Sequence, residues 1–310
     1  MVTENAPSGI AAIGECMLEL SGRNGEDWRM SFAGDTFNTL WALHALNADR
    51  PSTYVSAFGD DPFSRDQIAF FGRHGIGVGS SPVIAGARPG LYAITLTGAE
   101  RSFTYWRADA AARQLASDPA ALAKNLENQA LVYFSGITLA ILDAPGRKTL
   151  LAAVAAARAA GSLIAFDPNY RPRLWANTAE AQAAIAGALE TTDIALPTFP
   201  DEQMLFADTT PQHTAERFGR SVAEVVVKNG EQPALVSAGR QLQTVPAIRV
   251  EIPVDTTGAG DSFNGAYLAA RLAGHAPAEA ARRAHRVAAA VVQVRGALAP
   301  FEILKAAFDG

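Results

Sequence analysis

Residues 255–265 read DTTGAGDSFNG, a glycine-rich turn followed by one acid and the start of an apolar helix. Gly258 and Gly260 admit backbone conformations closed to other residues and let a ligand approach the main chain. The amides of Ala259, Gly260 and Asp261 then open a helix that carries Phe263, Tyr267, Leu268 and Leu272 and stops near Gly274. A helix start favours phosphate, because its unpaired N–H groups and the macrodipole both attract negative charge. Asp261 is the odd residue there. Beside a phosphate it is repulsive unless it has work of its own, such as orienting and deprotonating a hydroxyl that attacks phosphorus. It could equally be a plain N-terminal capping acid, and spacing alone does not choose between the two.

Outward from this stretch, short apolar runs at 10–13, 53–57, 131–134, 163–166, 194–196 and 225–227 alternate with alanine-rich helical patterns. Those patterns cover 37–46, 63–73, 144–160, 179–189, 214–218, 261–273 and 278–293. The alternation predicts an α/β fold with a mostly parallel sheet covered by helices. Residues 15–32 and 88–108 break it with polar-interleaved strands set away from the main sheet. We expect one domain over 1–310, with a small β-sheet lid inserted within about 15–33 and 88–108.

Composition narrows the partners. A net charge of −5 and a hydrophobic fraction of 49% give a globular chain without the basic face that nucleic acid requires. The only cysteine, Cys16, cannot form an internal disulfide and fits a reducing cytoplasm. Residues 1–9 lack the basic and apolar segments of a secretory signal and read as a loose tail, and the apolar spans are too short to cross a bilayer. GIGVGS at 75–80 lacks the last glycine of a dinucleotide fingerprint and follows a helix, so it reads as a helix stop. No GxxxxGK[ST] is present, and the five histidines show no metal-ligand spacing, so no metal-ligating residue is assigned.

DTTGAGDSFNGAYLA resembles the C-terminal signature of the ribokinase-like, or PfkB-type, carbohydrate kinases. IGECMLEL (13–20), FAGDTFNT (32–39) and DPNYRPRLW (167–175) are similar to further blocks of that family in the same order, from Ile10 to about Pro300. The resemblance implies a three-layer ribokinase-like fold whose lid closes over a sugar, with ATP and Mg²⁺ as cofactors. Asp261 then becomes the base for the sugar hydroxyl, and Gly258, Ala259 and Gly260 hold the migrating phosphate. A helix start should depress the Asp261 pKa, which a loose transition state tolerates.

PGLYAI (89–94) and FTYWR (103–107) make the likeness nearest to the kinases of 2-keto-3-deoxygluconate. Arg107 and Arg171 are the chosen partners for that sugar's carboxylate, because a guanidinium meets a carboxylate with two parallel hydrogen bonds. The plainer alternatives are a pair with Asp167 for Arg171 and a solvated strand end for Arg107. Gly34, Asp35 and Asn38 resemble the sugar-binding block where an ordinary capping turn is the plainer reading, and Tyr92 and Tyr105 of the lid read as core packing from the sequence alone while the resemblance tilts both toward stacking on the sugar and donating to it. Asn169, Tyr170, Arg171, Thr198, Lys228 and Gly230, with Gly258 and Gly260, form the nucleotide side, and the adenine is expected near residues 285–291. Where many relatives carry Asn-x-x-Glu for the hydrated Mg²⁺, residues 198–202 read TFPDE, so the Asn is missing and the acid is Asp201 or Glu202. Some relatives suggest a monovalent cation (K⁺) near Asp255, and we expect a homo-oligomer, a dimer or larger. The alternatives are fructokinase or another ketose kinase, and a sugar-binding protein that kept the fold and lost catalysis.

Overall fold

Strand β1 (Gly9–Ile13) is buried along its whole length, with Ile10 and Ala12 in one core and Ala11 and Ile13 in a second. An apolar run without polar alternation is what a strand covered on both faces requires. The computed structural model describes residues 7–23, 27–97, 100–239 and 241–310, so residues 1–6 of the expected tail lie outside the described residues.

Among the described residues the main sheet has nine strands. Their spatial order is β15 (Gln241–Val245), β14 (Ala234–Ala238), β13 (Glu224–Val227), β12 (Ile194–Ala195), β11 (Leu163–Asp167), β10 (Gln129–Ser135), β1, β4 (Ser52–Val55) and β6 (Ile76–Gly77). Pairing is parallel from β6 to β13 and antiparallel for β14 and β15. The six apolar runs read from the sequence are all strands of this sheet. β14 and β15 were not anticipated, because QLQTV carries polar residues at alternate positions and four of its five residues are exposed. β5 (Phe58–Gly59) and β7 (Val83–Ile84) form a separate short pair.

One core lies under α1 (Asp35–Leu46), α2 (Pro62–Arg73), α9 (Ala259–Leu272), α10 (Pro277–Val291) and α11 (Phe301–Asp309). The other lies under α3 (Pro119–Asn125), α4 (Gly136–Ile141), α5 (Ala144–Ala159), α6 (Thr178–Leu189), α7 (Phe199–Phe206) and α8 (Pro211–Phe218). Several short helices missed from the sequence start at a proline or at a capping side chain rather than on an apolar stripe. Asp118 caps α3, and Ser135 with Thr138 forms a capping box on α4. Residues 75–80 begin as expected, since Gly75 follows the α2 C-cap with φ of 76°.

The two interrupting regions form a second sheet in the order β3 (Asp27–Ala33), β2 (Met17–Arg23), β8 (Leu91–Thr97) and β9 (Glu100–Trp106). Its outer pairs are antiparallel and its central pair is parallel. One row of residues, Ser31, Glu19, Tyr92 and Tyr105, runs straight across all four strands.

Helices α1 and α9 approach closely at Gly265, where a Cβ would lie 2.5 Å from the Thr39 carbonyl oxygen and 2.8 Å from the Ala42 Cβ. Only glycine fits there. We expect Gly265→Ala to lose about 1–3 kcal/mol in urea unfolding, as overpacking of a core does. Gly187→Ala, in helix α6 with only Leu151 Cδ1 at 3.6 Å, should instead gain a few tenths to about 1 kcal/mol.

Candidate active site

The parallel strands end where α1 and α9 begin, the edge at which open α/β sheets bind ligands. At the start of α9, Gly258 is the N-cap with φ of 75°, and no side chain caps the helix. The Ala259 amide donates to the Thr256 carbonyl at 3.4 Å, and the Gly260 and Asp261 amides are left for an anion. Gly260 has no positive φ, so of the two glycines only Gly258 uses the left-handed freedom expected of both.

Asp261 is reached from α1. Asn38 donates from Nδ2 to Asp261 Oδ2 at 2.8 Å and accepts the Gly34 amide on Oδ1 at 3.3 Å. Gly34 is fixed by space, since a Cβ there would collide with the Glu15 carbonyl. Asp35 accepts from Asn169 Nδ2 at 2.8 Å, and Asn169 holds φ of 36° while its amide donates to Asp167 at 3.0 Å. Asp167, at the end of β11, accepts Lys228 Nζ at 2.6 Å and Asn264 Nδ2 at 2.7 Å.

These groups set the protonation of Asp261. Burial, above all, and the negative charge of Asp35 push its carboxyl up to about 7, while the Asn38 hydrogen bond and Lys228 oppose the rise. The expected depression at a helix start is corrected: desolvation and two neighbouring carboxylates outweigh the helix dipole. A base with its pKa near neutrality is well matched to removing a hydroxyl proton.

A cavity of about 1080 Å³ lies between this edge and the small sheet. Gly34, Asp35, Asn38, Asn169, Gly258 and Asp261 line one side, and Tyr92, Phe103 and Tyr105 of the small sheet line the other, with Arg107, Arg171 and Arg173 also at its wall. Tyr92 is not free to donate as supposed: its hydroxyl donates to Glu19, which also accepts Ser31 Oγ at 3.0 Å. Tyr105 is 48% exposed, and its ring lies 5.7 Å from that of Tyr92.

The arginines depart from both alternatives weighed for them. Arg107 is no solvated strand end; it pairs with buried Glu15. Arg171 pairs with Asp201 at 3.3 Å, while Asp167 takes Lys228 instead. Lys228 and Tyr170 are buried at 8% and 6% exposure, so the lysine sits beneath the site as a counter-charge and the tyrosine ring belongs to the second core. Thr198 bridges to Lys228 in parallel register, and Gly230 occupies an exposed turn with φ of 58°. Of the two acids left open for the metal's outer shell, Glu202 is fully buried on Arg217 at 2.7 Å, whereas Asp201 pairs with Arg171 of the cavity wall. His285, in the region expected for adenine, packs edge-on to Phe263 at 5.0 Å.

Sequence reasoning missed Glu15, Phe103, Ile137, Arg173 and Thr257, which also line the cavity. Glu15, Phe103, Arg173 and Thr257 lay in view within IGECMLEL, FTYWR, DPNYRPRLW and DTTGAGDSFNG; Ile137 carries no local signal. A neighbouring cavity of about 580 Å³ shares Thr257 and is lined by Glu19, Arg29, Asp255 and Arg295. Asp255 accepts the Thr257 amide at 2.9 Å and the Gly296 amide at 3.0 Å. Among the described residues no group of His, Cys, Asp and Glu is arranged to hold a metal, and no helix is long and apolar enough to cross a membrane.

Residues 8–304 match the family described as pfkB family carbohydrate kinase. The 2-dehydro-3-deoxygluconokinase of Dickeya dadantii is 42% identical, covering 99% of this chain and 100% of that protein. The enzyme of the same name from Escherichia coli K12 is 42% identical over 96% and 99% of the two chains. A ribokinase II of E. coli, solved with ATP and Mg²⁺, superposes with a TM-score of 0.84 at 25% identity, covering 97% of this chain and 99% of that one. A 2-dehydro-3-deoxygluconokinase structure from Thermotoga maritima gives a TM-score of 0.85 at 21% identity over 98% and 100%, a likeness of fold.

The raised Asp261 carboxyl has consequences of known sign. Between about pH 4, the ordinary range of an aspartate, and pH 7 the folded chain holds a proton that the unfolded chain has released, so this group costs stability above pH 7 and the cost disappears as pH falls. Asp261→Asn should therefore melt above the parent at pH 8, with the difference closing toward pH 5. Its kcat should fall by about 10²–10⁴-fold, the share of a positioned base. The parent's kcat/KM should decline as pH drops below about 7.

Proposed function

The chain belongs to the pfkB family of carbohydrate kinases, and from that premise we propose that it transfers the γ-phosphoryl group of ATP to the terminal hydroxyl of 2-keto-3-deoxygluconate, giving the 6-phospho product. The observation that carries the reading is a carboxylate with a near-neutral pKa at an uncapped helix start, facing a cavity walled by arginines. In the proposed reaction the hydroxyl oxygen forms a bond to the γ-phosphorus, the bond from that phosphorus to the bridging oxygen breaks, and the hydroxyl proton passes to Asp261. The Ala259 and Gly260 amides, with Gly258 as the turn, face the charge spread over the transferred oxygens.

ATP and Mg²⁺ suit the residues present, because the open Gly260 and Asp261 amides of α9 form a cradle for phosphate and Asp201 can take a water of the hydrated metal. Mg²⁺ when bound neutralises phosphate charge. We assign Gly34, Asp35, Asn38 and Tyr105 to the sugar, with Tyr92 as the buttress of Tyr105 through Glu19. Arg107 and Arg171 stay in the sugar-acid assignment, since a guanidinium has five N–H donors and each has spent only part of them on its carboxylate. Asn169, Arg171, Thr198 and Gly230 remain our nucleotide side, with Lys228 and Tyr170 acting from beneath.

The small sheet is proposed as a lid that closes over the sugar. The same reading places the enzyme in the cytoplasm, where ATP is available and Cys16 stays reduced, and makes it a homo-oligomer. Exposed Trp28 and Met30 on edge strand β3 favour association, because an apolar edge invites a second chain. A monovalent cation is proposed at Asp255, whose carboxylate already gathers two amides; replacing KCl by choline chloride at equal ionic strength should then lower the rate.

Steady-state assays test the substrate directly. We expect kcat/KM for 2-keto-3-deoxygluconate to exceed that for fructose by at least about 10²-fold, the scale of losing a charged hydrogen-bonded partner. A fructose preference would refute the sugar-acid reading and leave the kinase reading intact.

A further inference from the structure

The cavity wall does not distribute its charges evenly. Glu15, Asp35 and Asp261 bring negative charge, and Arg107, Arg171 and Arg173 bring positive charge. Arg107 is matched by Glu15, and Arg171 by Asp201. Each such pair is formally neutral. Among the described residues Asp35 and Asp261 receive side-chain hydrogen bonds only from the amides of Asn169 and Asn38, so no cation is paired with either. Leaving Arg173 aside, a sugar carboxylate entering this cavity meets a net negative wall.

Arg173 has no ion pair or hydrogen-bond partner among the described residues. Its backbone is nonetheless firmly placed. Pro172–Leu174 is a single 3₁₀ turn, closed by the Leu174 amide on the Arg171 carbonyl at 2.9 Å and by the Trp175 amide on the Pro172 carbonyl at 3.2 Å. Trp175 anchors the turn in the second core at 8% exposure, with the Arg147 guanidinium 4.9 Å from its ring. A fixed backbone carrying an uncommitted guanidinium presents that group to the cavity, so that only the side-chain torsions are left to order when an anion arrives.

We propose that Arg173 is the specificity-determining residue for the acidic sugar, meeting the substrate carboxylate with its guanidinium fork, while Arg107 and Arg171 act as secondary donors already committed to Glu15 and Asp201. This rests on the sugar-acid reading above. A neutral ketose gains nothing from Arg173, whereas an acid gains both its hydrogen bonds and a local positive charge that offsets part of the wall's negative charge.

The test compares 2-keto-3-deoxygluconate with the same sugar carrying a hydroxymethyl group in place of the carboxylate, on the parent, Arg173→Gln and Arg173→Lys. For Arg173→Gln we expect KM for the acid to rise about tenfold to a hundredfold, with kcat changed far less, and the preference for acid over neutral sugar to shrink by the same factor. Arg173→Lys should recover part of the loss, because the charge returns without the fork. Since Arg173 is exposed, thermal melts of all three proteins should coincide. A parent that prefers the acid while Arg173→Gln keeps that preference overturns the proposal and spares the sugar-acid reading. A rise in KM for ATP with both sugars alike also overturns it, assigning Arg173 to the nucleotide. A parent indifferent to the carboxylate overturns both.

Discussion

Mutual repulsion among Asp35, Asp167 and Asp261 is the constraint on which the site depends. Both other aspartates push the Asp261 carboxyl upward, and each of the three is held by a different set of donors. Asp167 receives a cation as well as Asn264, so its charge is cancelled beneath the site. Asp35 and Asp261 receive only neutral asparagine amides, which fix their orientation and leave their charge in place. A lysine beside Asp261 would pull its pKa down and weaken it as a base. Asn38 also lowers it, but burial and Asp35 outweigh that pull.

That arrangement needs two helix starts brought together from opposite ends of the chain. Asn38 lies one turn into α1 and Asp261 one turn into α9, 223 residues apart, and they meet because Gly265, Ala42 and the Thr39 carbonyl let the two backbones touch. The same contact brings Asn264 within 3.2 Å of the Tyr133 hydroxyl and Thr39 within 3.3 Å of it, tying both helices to β10. Missing side-chain volume in the core thus decides geometry at the surface. Packing density transmits the placement, since close-packed interiors shift as units.

Local chemistry was legible in the sequence and pairing between distant segments was not. Residues 255–265 announced a helix start with an anion cradle, and the six buried runs announced the parallel sheet, because burial on both faces writes an apolar block of a few residues. Strands β14 and β15 are half solvated, and their pairing is non-local. Helices α3, α4 and α7 are short, the first two set by capping side chains and the third by a proline in its first turn. At the site, Arg107 and Arg171 were recognisable as cations near a pocket, but nothing local specifies that Glu15 lies opposite the first or Asp201 opposite the second. The error over the Asp261 pKa has the same origin: the helix dipole is readable from seven residues, whereas Asp35 and Asp167 approach only through the fold.

The pair between Arg107 and Glu15 shows why a charge near a site is not by itself a ligand contact. Glu15 follows β1 of the main sheet and Arg107 follows β9 of the small one, so the pair joins the two bodies that enclose the cavity. Burial raises the Glu15 carboxyl against the pull of Arg107, and both Glu15 Oε1 and Arg107 Nε are buried without a partner. A buried pair with unsatisfied atoms contributes little net stability, because desolvation offsets much of the attraction. What it provides is direction: the small sheet is seated where its row from Ser31 through Glu19 and Tyr92 to Tyr105 ends at the cavity. An arginine spent on that seat has fewer donors for a substrate, and so the recognition of a carboxylate falls to a guanidinium that the fold has left uncommitted.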